Sequence, residues 1–285
     1  MSAKEWYNTG EQLSIDALSV FVKKEGNGFP LICIHGFPTS SWDFEPMWNQ
    51  LIQHFLVIAP DLIGLGKSSK NYAEISVKLQ ADVIEKILLE FKITKAHILA
   101  HDLGDTVAQE LIARVKEGTS PIRWESCIFL NGGLFPETHR PRFIQKLLIS
   151  SFGPIVAKLS SFKTFRENML RIFSAQHPPS EDFLNDSWEI LIEDNGRRAL
   201  PRVIRYMEER KQFRERWVAP LVEKTIPIRL INGIVDPISG EHAAKRYEEL
   251  VSEADIIWVE DAGHYPHVET PKKVLKAIFE FHNFK

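Results

Sequence analysis

Cysteine is scarce: the 285-residue chain has two, Cys33 and Cys127, each inside an apolar run where a free thiol behaves as a small hydrophobe. That excludes a disulfide framework. His, Cys and carboxylate groups at metal-ligand spacing are missing too, so no metal and no cofactor are expected. No run reaches the roughly 18 apolar residues of a spanning helix, and the first residues lack the apolar stretch of a signal peptide. The expectation is a cytoplasmic protein with no membrane span. Charge of one sign is also lacking, since 35 basic against 38 acidic residues leave −3. Nothing there draws the chain onto phosphate backbones, and nucleic acid is not an expected partner. Internal repeats and low-complexity segments are absent.

What is present is apolar content, 44% of residues, enough for one large core. Short apolar runs at 30–34, 55–59, 96–100 and 127–130 read as buried strands. Helical spacing fills the gaps: Leu79, Val83, Ile84, Ile87, Leu88 and Phe91 mark one stripe, and Val107, Ala108, Leu111, Ile112 and Val115 another. Strand and helix in alternation predict an α/β fold, a mostly parallel sheet with helices on both faces. From 135 to 218 the pattern turns helical and is broken by prolines, including Pro178 and Pro179. Alternation then resumes with strands at 226–231 and 255–259 and a helix from about 271 to 281. The expected organisation is a core of residues 1–134 and 219–285 carrying an inserted helical cap, 135–218. The basic run from Arg202 to Arg216, including Arg205, Arg210, Lys211 and Arg214, is interleaved with Glu208, Glu209 and Glu215 and is expected to be a solvated helix face.

Chemistry concentrates at strand ends. Ala100, His101, Asp102, Leu103 and Gly104 match the small-x-nucleophile-x-small turn that joins a strand to a helix, with Ala in place of the first Gly. An N-cap role at the start of the helix would also suit Asp102. His35, Gly36, Phe37 and Pro38 follow an earlier strand, where the Phe37 N–H can join that of Leu103 in an oxyanion hole. Asp236 follows the 226–231 strand and His264 the last one. Nucleophile, acid and histidine in this order, each after a strand, form a triad in which the nucleophile is a carboxylate. A carboxylate is already ionised at neutral pH, so the histidine's task moves to the second step. Asp102 attacks an alkyl carbon to give an ester, and His264, held by Asp236, deprotonates the water that hydrolyses it.

These motifs, together with residues 59–68 (APDLIGLGKS), resemble the α/β-hydrolase-fold epoxide hydrolases over nearly the whole chain. The stretches at 101–111, 130–141 and 213–218 are similar to the mesoderm-specific transcript group of hydrolase-like proteins. The resemblance implies an inserted cap, no cofactor, and a small apolar epoxide with water as substrates. It also implies that Tyr206 is the cap tyrosine that protonates the departing epoxide oxygen. Where that family carries a first cap tyrosine, residues 150–152 hold none, and the nearby donors His139 and His177 are expected on the surface. The related haloalkane and haloacetate dehalogenases place Trp or Arg after the nucleophile, where this chain has Leu103. Some take their acid from the strand end occupied here by Asn131, which leaves Asp236 as the acid. Dehalogenation is the catalytic alternative, and a ligand-binding or signalling protein of low turnover is the non-catalytic one.

Overall fold

A computed structural model describes residues 1–284. Eight strands form one sheet: β1 (Glu11–Ile15), β2 (Leu18–Glu25), β3 (Phe29–Ile34), β4 (Phe55–Pro60), β5 (Lys95–His101), β6 (Arg123–Leu130), β7 (Ile228–Gly233) and β8 (Ile256–Val259). Their spatial order is β1-β2-β4-β3-β5-β6-β7-β8. All pairs from β4 to β8 are parallel, while β1 and β2 form an antiparallel edge that the sequence reading did not include. The central strands are continuous apolar runs because both faces of the sheet are covered, so no polar alternation survives.

On one face α3 (Val77–Glu90), α4 (Leu103–Glu117) and α11 (Arg214–Val222) pack together. The other carries α2 (Glu45–Leu51), α13 (Pro266–Glu269) and α14 (Pro271–Phe281), with a short α1 (Ala3–Asn8) near the antiparallel edge. Helix α12 (Glu241–Leu250) joins β7 to β8. Between β6 and β7 the chain is helical: α5 (Phe143–Ile149), α6 (Gly153–Leu159), α7 (Phe162–Leu170), α8 (Glu181–Ile192), α9 (Leu200–Val203), α10 (Tyr206–Gln212) and then α11. The chain leaves β3 toward β4 on one side, while β5 lies on the other. The carboxyl ends of β3 and β5 therefore bound a topological switch point, the place where open α/β sheets hold ligands. Both cysteines are free and buried, and burial pushes the Cys33 thiol well up.

Candidate active site

Asp102 stands between β5 and α4 with φ 49° and ψ −104°, a backbone conformation that side chains rarely adopt. The turn survives because its neighbours are small. A Cβ on Gly104 would lie 2.1 Å from the Ile34 carbonyl oxygen, and one on Gly36 would lie 2.9 Å from the Asp102 Cβ. Although Asp102 occupies the N-cap position of α4, its side chain makes no capping bond. It turns away from the helix instead. Oδ2 accepts the Phe37 N–H at 3.0 Å, and the Tyr206 hydroxyl lies 3.5 Å from both carboxylate oxygens. Leu103, whose N–H is the other expected donor, is the first residue of α4.

His264 sits on the loop after β8, its Nδ1 2.8 Å from Asp236 Oδ2. Asp236 is fixed from several sides: Ile238 N–H donates to Oδ1 at 2.7 Å, while Ser239 N–H, the Ser239 hydroxyl and Asn131 Nδ2 donate to Oδ2 at 3.1, 2.7 and 3.1 Å. Burial alone would raise this carboxyl, but the His264 charge and those donors hold it down at about 2. The converse acts on His264. Burial pulls the imidazole down, yet Asp236, with help from Asp102 and Glu269, raises it to about 9. Asp102, Asp236, His264, Tyr206, Phe37 and Leu103 are all buried and are brought together across five separate segments of chain.

Three further residues support the site: Glu269, which the sequence reading did not single out, Asn131, which it set aside as the acid, and Arg210, which it placed on a solvated face. Asn131 is hydrogen-bonded to Asp236 and bridges to Gly233 through both ends of its amide, at 2.9 and 2.6 Å, so it holds the Asp236 carboxylate in place. Glu269 collects three backbone N–H groups, those of Ser174, Gly263 and Tyr265, at 2.7, 2.8 and 2.9 Å. Arg210 corrects the expectation of a solvated basic face, because it is only 2% exposed. Its Nη2 donates to the Asp102 carbonyl at 3.0 Å, its Nε to the Thr106 hydroxyl at 2.6 Å, and its charge lies 3.8 Å from Asp102 Oδ1. The guanidinium also stacks over the Tyr206 ring at 4.6 Å. Thus α10 buries Tyr206 and Arg210, spaced at i and i+4, against the turn that carries Asp102.

His139 was expected on the surface and is half-buried, its ring turned inward. Both ring nitrogens are buried without a partner, and burial, with Arg210 close by, lowers the imidazole to about 3. His177 does lie toward the surface, 3.1 Å from Asp261 and apart from the site. The 59–68 motif is structural. Asp61 accepts from Ser41 and Lys67 N–H groups and the Tyr7 hydroxyl at 2.8, 2.7 and 3.0 Å, knotting that loop beside β2.

Asp43, His101 and His267 bring potential ligand atoms within 4.8 Å of one another, all three buried. They supply three ligands where a structural zinc site uses four. Burial drives both imidazoles toward neutrality and raises Asp43, which also takes the Thr39 hydroxyl. Burial thus favours the neutral form of all three, and Asp43 Oδ1, His101 Nδ1 and both His267 ring nitrogens are buried without a hydrogen-bond partner. A cavity of about 110 Å³, walled by Phe37, Leu148, Val156, Phe165, Ile172 and Ile238, runs from the inserted helices to His264. Its walls are mostly apolar, with Arg142, Gln145, Thr164 and Asn168 among the polar groups that also line it.

Residues 31–277 match the model of the alpha/beta hydrolase family. The chain belongs to that family. Over 98% of its length this alpha/beta hydrolase is 34% identical to the mouse mesoderm-specific transcript protein, 87% of which is covered. Among solved structures it is similar to a haloalkane dehalogenase loop variant from Bradyrhizobium elkanii, with TM-score 0.80 and 19% identity over 95% of both chains. It is also similar to the epoxide hydrolase CorEH, with TM-score 0.76 and 20% identity over 96% of this chain and 98% of that one. These two likenesses bear on the fold. Among the described residues, no helix of this alpha/beta hydrolase is long and apolar enough to cross a membrane.

Proposed function

We propose that this alpha/beta hydrolase opens small apolar epoxides to vicinal diols through an ester on Asp102, with residues 135–218 serving as the cap over the site. The observation that carries the proposal is the Asp102 carboxylate, free of any capping bond and facing the Tyr206 hydroxyl at 3.5 Å. Asp102 Oδ attacks an epoxide carbon and the carbon–oxygen bond breaks. The departing oxygen takes the Tyr206 proton and becomes a hydroxyl. Burial and the Asp102 charge raise the Tyr206 phenol, so it is protonated at neutral pH, and an alkoxide is basic enough to take that proton.

Ester formation removes the negative charge of Asp102. That charge is one of the groups raising His264, so the imidazole becomes a readier base once the intermediate exists. His264 then takes a proton from water as the water oxygen attacks the ester carbonyl. Phe37 and Leu103 N–H groups face the oxyanion that develops. Collapse releases the diol and restores the Asp102 carboxylate, and the proton on His264 returns to the Tyr206 phenolate. Dehalogenation is disfavoured by Leu103, which supplies no side-chain donor for a halide.

Purified protein incubated with styrene oxide and with a bromoalkane tests this, following diol and bromide. Diol without bromide is expected. A single turnover in heavy-oxygen water should leave label in the Asp102 carboxylate, and label entering the product directly would refute the ester route.

A further inference from the structure

The outward faces of α5 and α6 carry four large apolar side chains in water: Phe143 is 75% exposed, Phe152 64%, Ile155 58% and Leu159 75%. Positions 152, 155 and 159 follow helical spacing, so they form one stripe along α6, while Ala157 is buried on the opposite side. A grouping of this kind on a protein surface marks an interaction face rather than scattered exposure. Its charge says what kind. Residues 138–166 contain Arg140, Arg142, Lys146, Lys158, Lys163 and Arg166 and no Asp or Glu, in a chain whose net charge is −3. Arg166 pairs with Glu181, but among the described residues none of the other five cations makes an ion pair. Elsewhere on this protein exposed basic groups are commonly paired, as Lys86 is with Asp16 and Lys245 with Glu241.

We propose that α5 and α6 form a docking face for an anionic phospholipid bilayer, with the four apolar side chains entering the headgroup boundary and the exposed, unpaired Arg140, Lys146, Lys158 and Lys163 meeting lipid phosphates and carboxylates, while Arg142 turns to the cavity. Apolar side chains ringed by long basic ones are the pattern of interfacial binding, in which the lysine stems lie along the apolar zone and their ammonium groups reach the headgroups. A protein partner fits less well, because lysine is depleted at protein interfaces. A second copy of the chain fits least well, since a symmetric pairing would set two acid-free basic faces against each other. The inner sides of the same helices, through Ile144, Leu148 and Val156, wall the cavity that reaches His264. Docking would therefore set that cavity close to the lipid.

Co-sedimentation with vesicles tests the proposal and reads binding without turnover, so its outcome is independent of the epoxide chemistry. Wild-type protein is expected to pellet with phosphatidylcholine–phosphatidylserine vesicles, and less with phosphatidylcholine alone or at raised salt. Lys146→Gln with Lys158→Gln should weaken that binding about 25-fold, about fivefold per charge removed. Phe152→Ser with Leu159→Ser should release the protein as well. All four positions are exposed, so thermal unfolding midpoints should stay at the wild-type value, and each pair of substitutions checks the other. Wild-type protein remaining in the supernatant with anionic vesicles overturns the proposal, as does serine-variant binding equal to wild type. Sedimentation velocity showing a concentration-dependent oligomer that the serine variant loses would assign the face to a second copy and overturn it too.

Discussion

Asp236→Asn removes the charge that sets the protonation of His264 while keeping the shape of the side chain. In the wild type the imidazole is raised from 6.5 to about 9 against the pull of burial, and Asp236 is the largest of the groups that raise it. With Asn in its place burial dominates, and the imidazole should titrate below its ordinary value. Two consequences follow, one kinetic and one thermodynamic. Orientation and stabilisation of the imidazolium are lost in the hydrolytic step, for which a reduction on the order of 10⁴-fold is expected. Attack by Asp102 on the substrate carbon uses neither residue as a base, so the ester should form and then persist. Rapid quench with intact-protein mass spectrometry would show a stoichiometric adduct equal to the mass of the epoxide. On the thermodynamic side, a folded-state value above the unfolded one stabilises the protein in full below pH 6.5 and is lost as pH rises through about 9. The shift corresponds to on the order of 3 kcal/mol. Urea unfolding of the wild type should therefore weaken between pH 6.5 and 9, and the variant should lack that component. Loss of turnover with no adduct would refute the two-step reasoning, and an unchanged imidazole titration by NMR would refute the electrostatic account.

Tyr206→Phe should slow ester formation by about 10²- to 10⁴-fold without accumulating adduct, which single-turnover quench separates from the Asp236 variant. Gly104→Ala would drive a Cβ into the Ile34 carbonyl oxygen; a loss of about 1–3 kcal/mol or more in urea unfolding is expected, together with loss of turnover as the Asp102 turn shifts. Arg210→Met leaves the Asp102 carbonyl and the Thr106 hydroxyl short of a donor and should cost about 1–3 kcal/mol, measured by calorimetry. Arg210→Lys should recover little of this, because one ammonium cannot span both acceptors in the geometry of the fork.

Strand ends were the legible part of this sequence. Asp102, Asp236 and His264 could be proposed because each lies within a few residues of the end of an apolar run, and the run fixes where the strand stops. The α/β alternation was legible for the same reason. Strand β1 was not, since it lies at the sheet edge with mostly exposed side chains and carries no buried run to read. Helix α12 buries only Ala243, Ala244 and Tyr247, too few large side chains to leave a visible stripe. The supporting residues were hidden for a different reason. Asn131 and Arg210 act by bonding groups 105 and 108 positions away, and Glu269 reaches Ser174 95 positions away, partners of which one sequence carries no mark. Arg210 was misread because charge interleaving describes a helix as if it stood alone in water, whereas α10 lies against the Asp102 turn.

The carboxylate of Glu269 reaches into two segments at once. It holds Gly263 and Tyr265, on either side of His264, and also Ser174, between α7 and α8; the Ile172 carbonyl accepts the His264 N–H at 2.8 Å as well. The histidine loop and the base of the inserted helices are thus pinned as one body. A hinge placed there would break the two hydrogen bonds that cross between the segments, Ser174 N–H to Glu269 and His264 N–H to Ile172, and would shift His264 with every opening, whereas the α5–α6 end of the cavity lies outside this pinned body.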